Sequence, residues 1–204
     1  MLKLDYNPCT RRYQEWLSQF SQEQQKKIAD LGDDVNNVSK LIKLKRDRKP
    51  VEVSVGDVFW VSNKEGLYFY GKIVRSVNTN HPQFNWSKIC FVVFIFKCIT
   101  KEKNLDNYSP NYNDCVCGPA IFDVSYWEKG YLEIIENIPL TKEEKKLDIG
   151  FFDSSSKNAG TFVNSKGKIM RHCPKFYDVL GFKTSWGISH KLSVTYITDP
   201  MLFE

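Results

Sequence analysis

Nothing in this 204-residue chain is long and apolar enough to span a bilayer. Its richest apolar run, ICFVVFIFKCI (89–99), stops well short of the roughly 18 residues required, and it is interrupted by charge. The opening residues, MLKLDYNPCTRRYQEW, hold no apolar stretch leading to a small-residue cleavage site, so no secretory signal is expected. The expectation is a soluble, cytoplasmic chain with no membrane partner. Its six cysteines then count as reduced thiols, and Cys90 and Cys98 act as small apolar side chains. The N-x-S sequons at Asn37, Asn85 and Asn107 have no role without a secretory route.

Catalytic signatures are equally sparse. There is no phosphate-cradling loop of Walker or G-x-G-x-x-G type and no G-x-S-x-G elbow. Cys115-x-Cys117 and His172-Cys173 are spaced too tightly to wrap a tetrahedral zinc. Of the three histidines (His81, His172, His190), only His190 offers a conceivable base, for a Cys173 nucleophile. The carboxylate pair Glu143-Glu144 sits in a lysine-rich, solvated segment that suits general acid work poorly. The sequence therefore nominates no catalytic residue, no metal site and no cofactor. It also holds no internal repeat.

What the chain has is aromatic residues, with 14 Phe, 10 Tyr and 5 Trp. Such side chains favour strands and interaction surfaces, and a chain of this size buries enough apolar area to fold without staples. The formal net charge is +5. Most of the excess lies in residues 1–50, above all in KLIKLKRDRK (40–49), which reads as the solvated end of a helix or as a contact for an acidic partner.

Two kinds of periodicity divide the chain. From Thr10, a possible cap, to about Lys45 the apolar residues step at helical spacing: Tyr13, Trp16, Leu17 and Phe20, then Ile28, Leu31, Val35, Val38 and Leu41/Ile42. Gly32 to Asn37 weakens the run, so two helices or one broken helix are expected, closed at Pro50. Beyond it, strands are predicted at 51–55, 57–61, 67–77, 89–100, 120–125, 130–136 and 190–197, with 89–100 buried on both faces. Residues 78–86 and 151–172 read as loops, the latter leading into a hairpin around Asn164–Gly167. Residues 101–119 read as an exposed excursion. A short helix at 139–150 starts with Thr141 and Glu144 in capping-box spacing. The fold class is mainly β (α+β): an antiparallel sheet or partly closed barrel with an N-terminal helical arm and one short late helix. Residues 1–50 form the arm, basic at its end, and 51–204 the β-rich domain.

One hairpin carries more than a fold. VGDVFWVSNKEGLYFYGKIV (55–74) places Gly56, Asp57, Phe59, Gly66, Tyr68, Tyr70, Gly71 and Lys72 in a pattern that resembles the immunity protein 26 family of bacterial polymorphic toxin systems. FVVFIF (91–96) is similar to that family's apolar strand, and YWEKGYLEIIENIPLTKEE (126–144) to its later tryptophan-containing segment. The motif glycines and Asp57 read as scaffold residues. The resemblance implies a protein that neutralises a cognate toxin C-terminal domain, encoded immediately upstream, by occluding its active site or substrate surface. The candidate contacts are Tyr108, Tyr112 and Asp114 in the excursion, Trp86 and Trp127 as anchors or core, and Lys43, Lys45, Arg46 and Arg48 toward an acidic face. The alternative is a nucleic-acid-binding β-barrel that uses exposed aromatics and the 40–49 segment. The nearly balanced charge over the strand region argues against it. The sequence leaves the oligomeric state open.

Overall fold

The computed structural model describes residues 3–33, 35–45, 51–78, 89–154 and 158–203. At its centre lies an open five-stranded antiparallel sheet, not a barrel, in the order β4-β3-β2-β1-β5. Its strands are β1 (Asp57–Lys64), β2 (Leu67–Ser76), β3 (Cys90–Thr100), β4 (Cys115–Asp123) and β5 (Leu132–Asn137). Phe59, Val61, Phe69, Ile73, Val93 and Ile95 point to one face. Val58, Trp60, Tyr70, Val74, Val92, Phe94 and Phe96 point to the other. Apolar residues at both parities mean that both faces are covered, as the continuous run in β3 predicts.

The first face is covered by a C-terminal helix, α5 (Ser185–Thr198), through Ile188 and Leu192, with Leu41 beside them. A 190–197 strand was expected there, and the correction has a physical cause. Thr184 caps the segment by accepting the Gly187 N–H at 3.0 Å, and the helix seats Ile188, Leu192 and Tyr196 at i, i+4, i+8. The β-branched residues suggested a strand, but packing decides the outcome. The second face is covered by a three-stranded sheet, β7-β6-β8, and by the excursion. Its strands are β6 (Ile149–Asp153), β7 (Thr161–Val163) and β8 (Phe176–Val179), with β8 parallel to β6. Residues 151–172 are therefore not a plain loop. Their turn at Asn164–Gly167 forms as expected, with Asn164 Oδ1 accepting the Lys166 and Lys168 N–H groups.

The N-terminal arm is two helices, α1 (Pro8–Leu17) and α2 (Gln22–Asp33). Asn7, not Thr10, caps α1, and Pro8 follows it where a missing N–H costs nothing. One break falls at residues 18–21, where Ser21 and Gln24 exchange capping-box bonds that start α2, and α2 itself ends at Asp33, within the stretch expected to interrupt the run. Residues 38–45 are irregular where a helix was expected. Val38 and Leu41 are buried, and the Ile42 and Leu44 N–H groups donate to Ser62 and Gly130 carbonyls. Residues 51–55 form no strand; Val51 and Val53 pack on the core as an irregular lead-in. Two short helices complete the fold, α3 (Ser125–Glu128) and α4 (Lys142–Lys145), the latter starting with the expected Thr141–Glu144 capping box.

Candidate functional site

The β1–β2 hairpin is the frame from which the rest is positioned. Asp57 Oδ2 accepts the Ser54 N–H at 2.7 Å, and Asn137 Nδ2 donates to Asp57 Oδ1 at 2.7 Å, tying the strand start to the end of β5. Gly66 turns the chain with φ +69°. Gly71 lies opposite Phe59, and a Cβ there would come within 2.3 Å of the Phe59 ring. The ring lies over bare backbone. That is a packing reason for glycine.

Lys72, next in the motif, is only 2 % exposed. Its Nζ donates to both carboxylate oxygens of Glu144, at 2.9 and 3.0 Å. The same carboxylate accepts the Tyr112 hydroxyl at 2.6 Å and the Thr141 N–H at 2.8 Å. Burial alone would raise the Glu144 pKa, but the bonds from Tyr112, Thr141 and Lys72 outweigh it and hold the group below its ordinary value. Burial, reinforced by the bond to Glu144, pushes the Tyr112 phenol far up, so it stays a donor. Arg75 closes the node by donating to the Glu144 and Lys145 carbonyls at 3.0 and 2.6 Å. One salt bridge thus fixes α4, β2 and the excursion together. It is a structural node, and its Lys72–Glu144 pair is buried.

The excursion is consequently less exposed than expected. Leu105, Tyr108 and Tyr112 pack on the second face of the sheet, with Tyr112 edge-on to Phe94 and Phe96. Beyond Tyr112 the chain surfaces at one wall of an open cleft of about 460 Å³. Its walls are α1, the end of β3, residues 112–118, the segment around β8, and α5. Five cations face it (Arg12, Lys97, Lys175, Lys183 and Lys191) against two carboxylates, Asp114 and Asp178. Lys97 pairs with Asp114 at 2.8 Å and Asp199 at 3.1 Å, and Lys183 with Asp178 at 2.7 Å. Burial opposes both ammonium charges, yet these carboxylates hold both pKa values above the ordinary lysine range. Arg12 lies 4.7 Å over the Tyr177 ring and donates to the Tyr177 carbonyl at 3.2 Å.

Of the toxin-contact candidates among the described residues, Tyr112 and Asp114 line the cleft, and Tyr108, Trp127, Lys43 and Lys45 do not. Trp127 is buried in the first face, edge-on to Phe59 and Phe91. Lys43 and Lys45 are exposed, Lys43 with Nζ 5.9 Å from the Tyr131 ring centre. Trp86, Arg46, Arg48 and His81 lie outside the described residues. Cys173 and His190 form no reactive pair. Burial and then Asp148 raise the Cys173 thiol pKa, while His190 stacks on Trp186 and burial lowers its pKa. His172 instead meets Asp148 at 2.9 Å. Sequence reading missed Arg12, Lys97, Lys175, Lys183, Lys191 and Tyr177, which come from segments far apart in the chain.

The fold and cleft define a mixed α+β protein with a rigid central sheet and an open, cation-lined recess at one end of it. The chain belongs to the immunity protein 26 family, whose model matches residues 54–160, just over half of its length. That span runs from the lead-in of β1 through β6 and holds the whole central sheet. No curated protein and no solved structure matches the chain.

Proposed function

We propose that the protein binds and neutralises one cognate bacterial toxin domain, the C-terminal domain of a contact-dependent polymorphic toxin encoded immediately upstream. It does so by covering the toxin's active site or substrate surface, in the cytoplasm of the cell that makes both. The protein itself performs no chemistry. Membership of the immunity protein 26 family, over the segment that builds the sheet, carries this reading. Affinity would rest on a few aromatic and arginine anchors within a larger complementary surface. Tyr112, Asp114, Lys43 and Lys45 reach that surface, while Tyr108 and Trp127 would act by shaping it from beneath. Trp86, Arg46 and Arg48 stay candidates on their chemistry alone.

A nucleic-acid-binding role for the same fold is the weaker reading. Phe59, Trp60, Phe69 and Tyr70 are in the core, so the strands offer those rings to no base. The test is co-expression of a tagged chain with the coding region immediately upstream. A stoichiometric complex, together with rescue of growth from the neighbour's toxicity, is the expected result. A harmless neighbour with nothing co-eluting would remove the immunity reading.

A further inference from the structure

We propose that the cleft between α1, β8 and α5 receives an acidic segment of the toxin, its carboxylates meeting Arg12, Lys175 and Lys191. The inference rests on the immunity reading and names the surface and the partner's chemistry. Of the five cations at the cleft, Lys97 and Lys183 already have carboxylate partners. Among the described residues, Arg12, Lys175 and Lys191 have none within 4 Å. They converge from three elements on one concavity. Three cysteine thiols line it; burial above all pushes Cys9 and Cys115 up to about 12 and raises Cys117 as well, so they add no negative charge.

Arg12 is held ready for a carboxylate. Stacking on Tyr177 and the bond to its carbonyl fix the guanidinium plane, so little side-chain freedom remains to be lost on binding. Tyr13 and Trp16 form an adjoining aromatic wall, with ring centres 5.6 Å apart, and Lys191 Nζ sits 5.9 Å from the Tyr13 ring centre. Aromatic walls exclude water from an incoming ion pair and so strengthen it. A cleft of about 460 Å³ takes a few side chains. A nucleic-acid strand calls for cations along an extended track, whereas three charges converging on a recess suit discrete carboxylates.

Position in the chain agrees with this. The family match ends at residue 160, so α1, β8 and α5 all lie outside it, while Lys97 and residues 112–118 lie inside. The cleft is where this chain's own flanking segments meet the family sheet. A surface built there suits recognition of one particular toxin.

The test uses the full chain, with affinity measured against a catalytically inactivated form of the upstream-encoded toxin domain and growth rescue against the active form. Both are measured for wild type, the double variant Arg12→Glu/Lys191→Glu, and Lys26→Glu, an exposed control on α2. The double variant should bind about 100-fold more weakly and lose rescue, with the control within about threefold of wild type. If wild type binds and rescues and the double variant matches it, the cleft proposal is overturned while the immunity reading stands. If wild type neither binds nor rescues, the immunity reading fails and the toxin segment goes with it. Salt-sensitive RNA retention that the double variant abolishes would overturn the acidic partner in favour of phosphate. Should the reversal disturb folding by circular dichroism, Arg12→Gln/Lys191→Gln repeats the comparison. Carbodiimide coupling of the wild-type complex must then join Lys175 or Lys191 to a toxin Asp or Glu; coupling only elsewhere overturns the proposal.

Discussion

At the scale of single residues, the Lys72–Glu144 pair is the most buried salt bridge among the described residues. Both side chains are taken from water, Lys72 almost wholly. Glu144→Ala leaves the ammonium buried and unpaired and also frees the Tyr112 hydroxyl. It should lower unfolding free energy in urea by about 3–5 kcal/mol. Lys72→Met/Glu144→Met removes both charges together and should recover most of that loss. A double variant as unstable as the single would show that the pair contributes more than mutual neutralisation. The pH dependence follows from the lowered Glu144 pKa. Above the usual carboxylate value of 4.5, Glu144 is ionised in folded and unfolded chains alike, and its contribution is complete. As pH falls below 4.5 the unfolded chain takes up the proton first, and the contribution drains away as pH passes the lower folded value. Glu144→Gln should therefore be clearly less stable than wild type at neutral pH, with the gap narrowing toward pH 3. A gap that widens in acid would reverse the sign of the shift.

Among the elements, α5 shows both what the sequence reveals and what it hides. The hairpin of β1 and β2 was legible because two apolar runs flank a turn glycine, and β3 because its apolar residues run unbroken from 89 to 96. β6 and β7 were not, being five and three residues long with polar residues between. α5 was misread because its buried side includes Ser189, Ser193 and Thr195, which blur any helical hydrophobic stripe. Those serines sit there for a polar reason. Buried Asn63 on β1 donates to Ser193 Oγ at 3.0 Å and to the Ser189 carbonyl at 3.4 Å, and accepts the Tyr196 hydroxyl at 2.9 Å. Asn63→Leu strips that node while keeping its volume, and should cost about 2 kcal/mol in urea unfolding. Thr184→Ala, which removes only the cap, should cost about 1 kcal/mol. If Asn63→Leu proved neutral, apolar packing alone would be holding α5 to the sheet. The cleft was invisible in sequence for a related reason. Arg12, Lys175 and Lys191 are ordinary exposed or half-exposed cations in their own segments, and only the docking of α1, β8 and α5 brings them together.

For the whole molecule, the consequence of that docking is a directional field. The basic 40–49 stretch reads from sequence as a solvated helix end or a contact for an acidic partner; the structure gathers further cations, from segments far apart in the chain, at one recess. Such a recess would draw an acidic toxin surface from a distance, and salt should weaken the approach more than the final contact. Between about 50 and 500 mM salt, the association rate with the toxin should fall roughly tenfold while dissociation changes much less. Asp114→Asn supplies the complementary arm. It removes a rim carboxylate and leaves Lys97 held by Asp199, so the recess gains positive charge without losing that lysine's anchor. Its association at low salt should be a few-fold faster than wild type, and the difference should vanish at high salt. Stopped-flow rates indifferent to both salt and Asp114 would show that the toxin is captured by shape, with the cations serving only the closed complex.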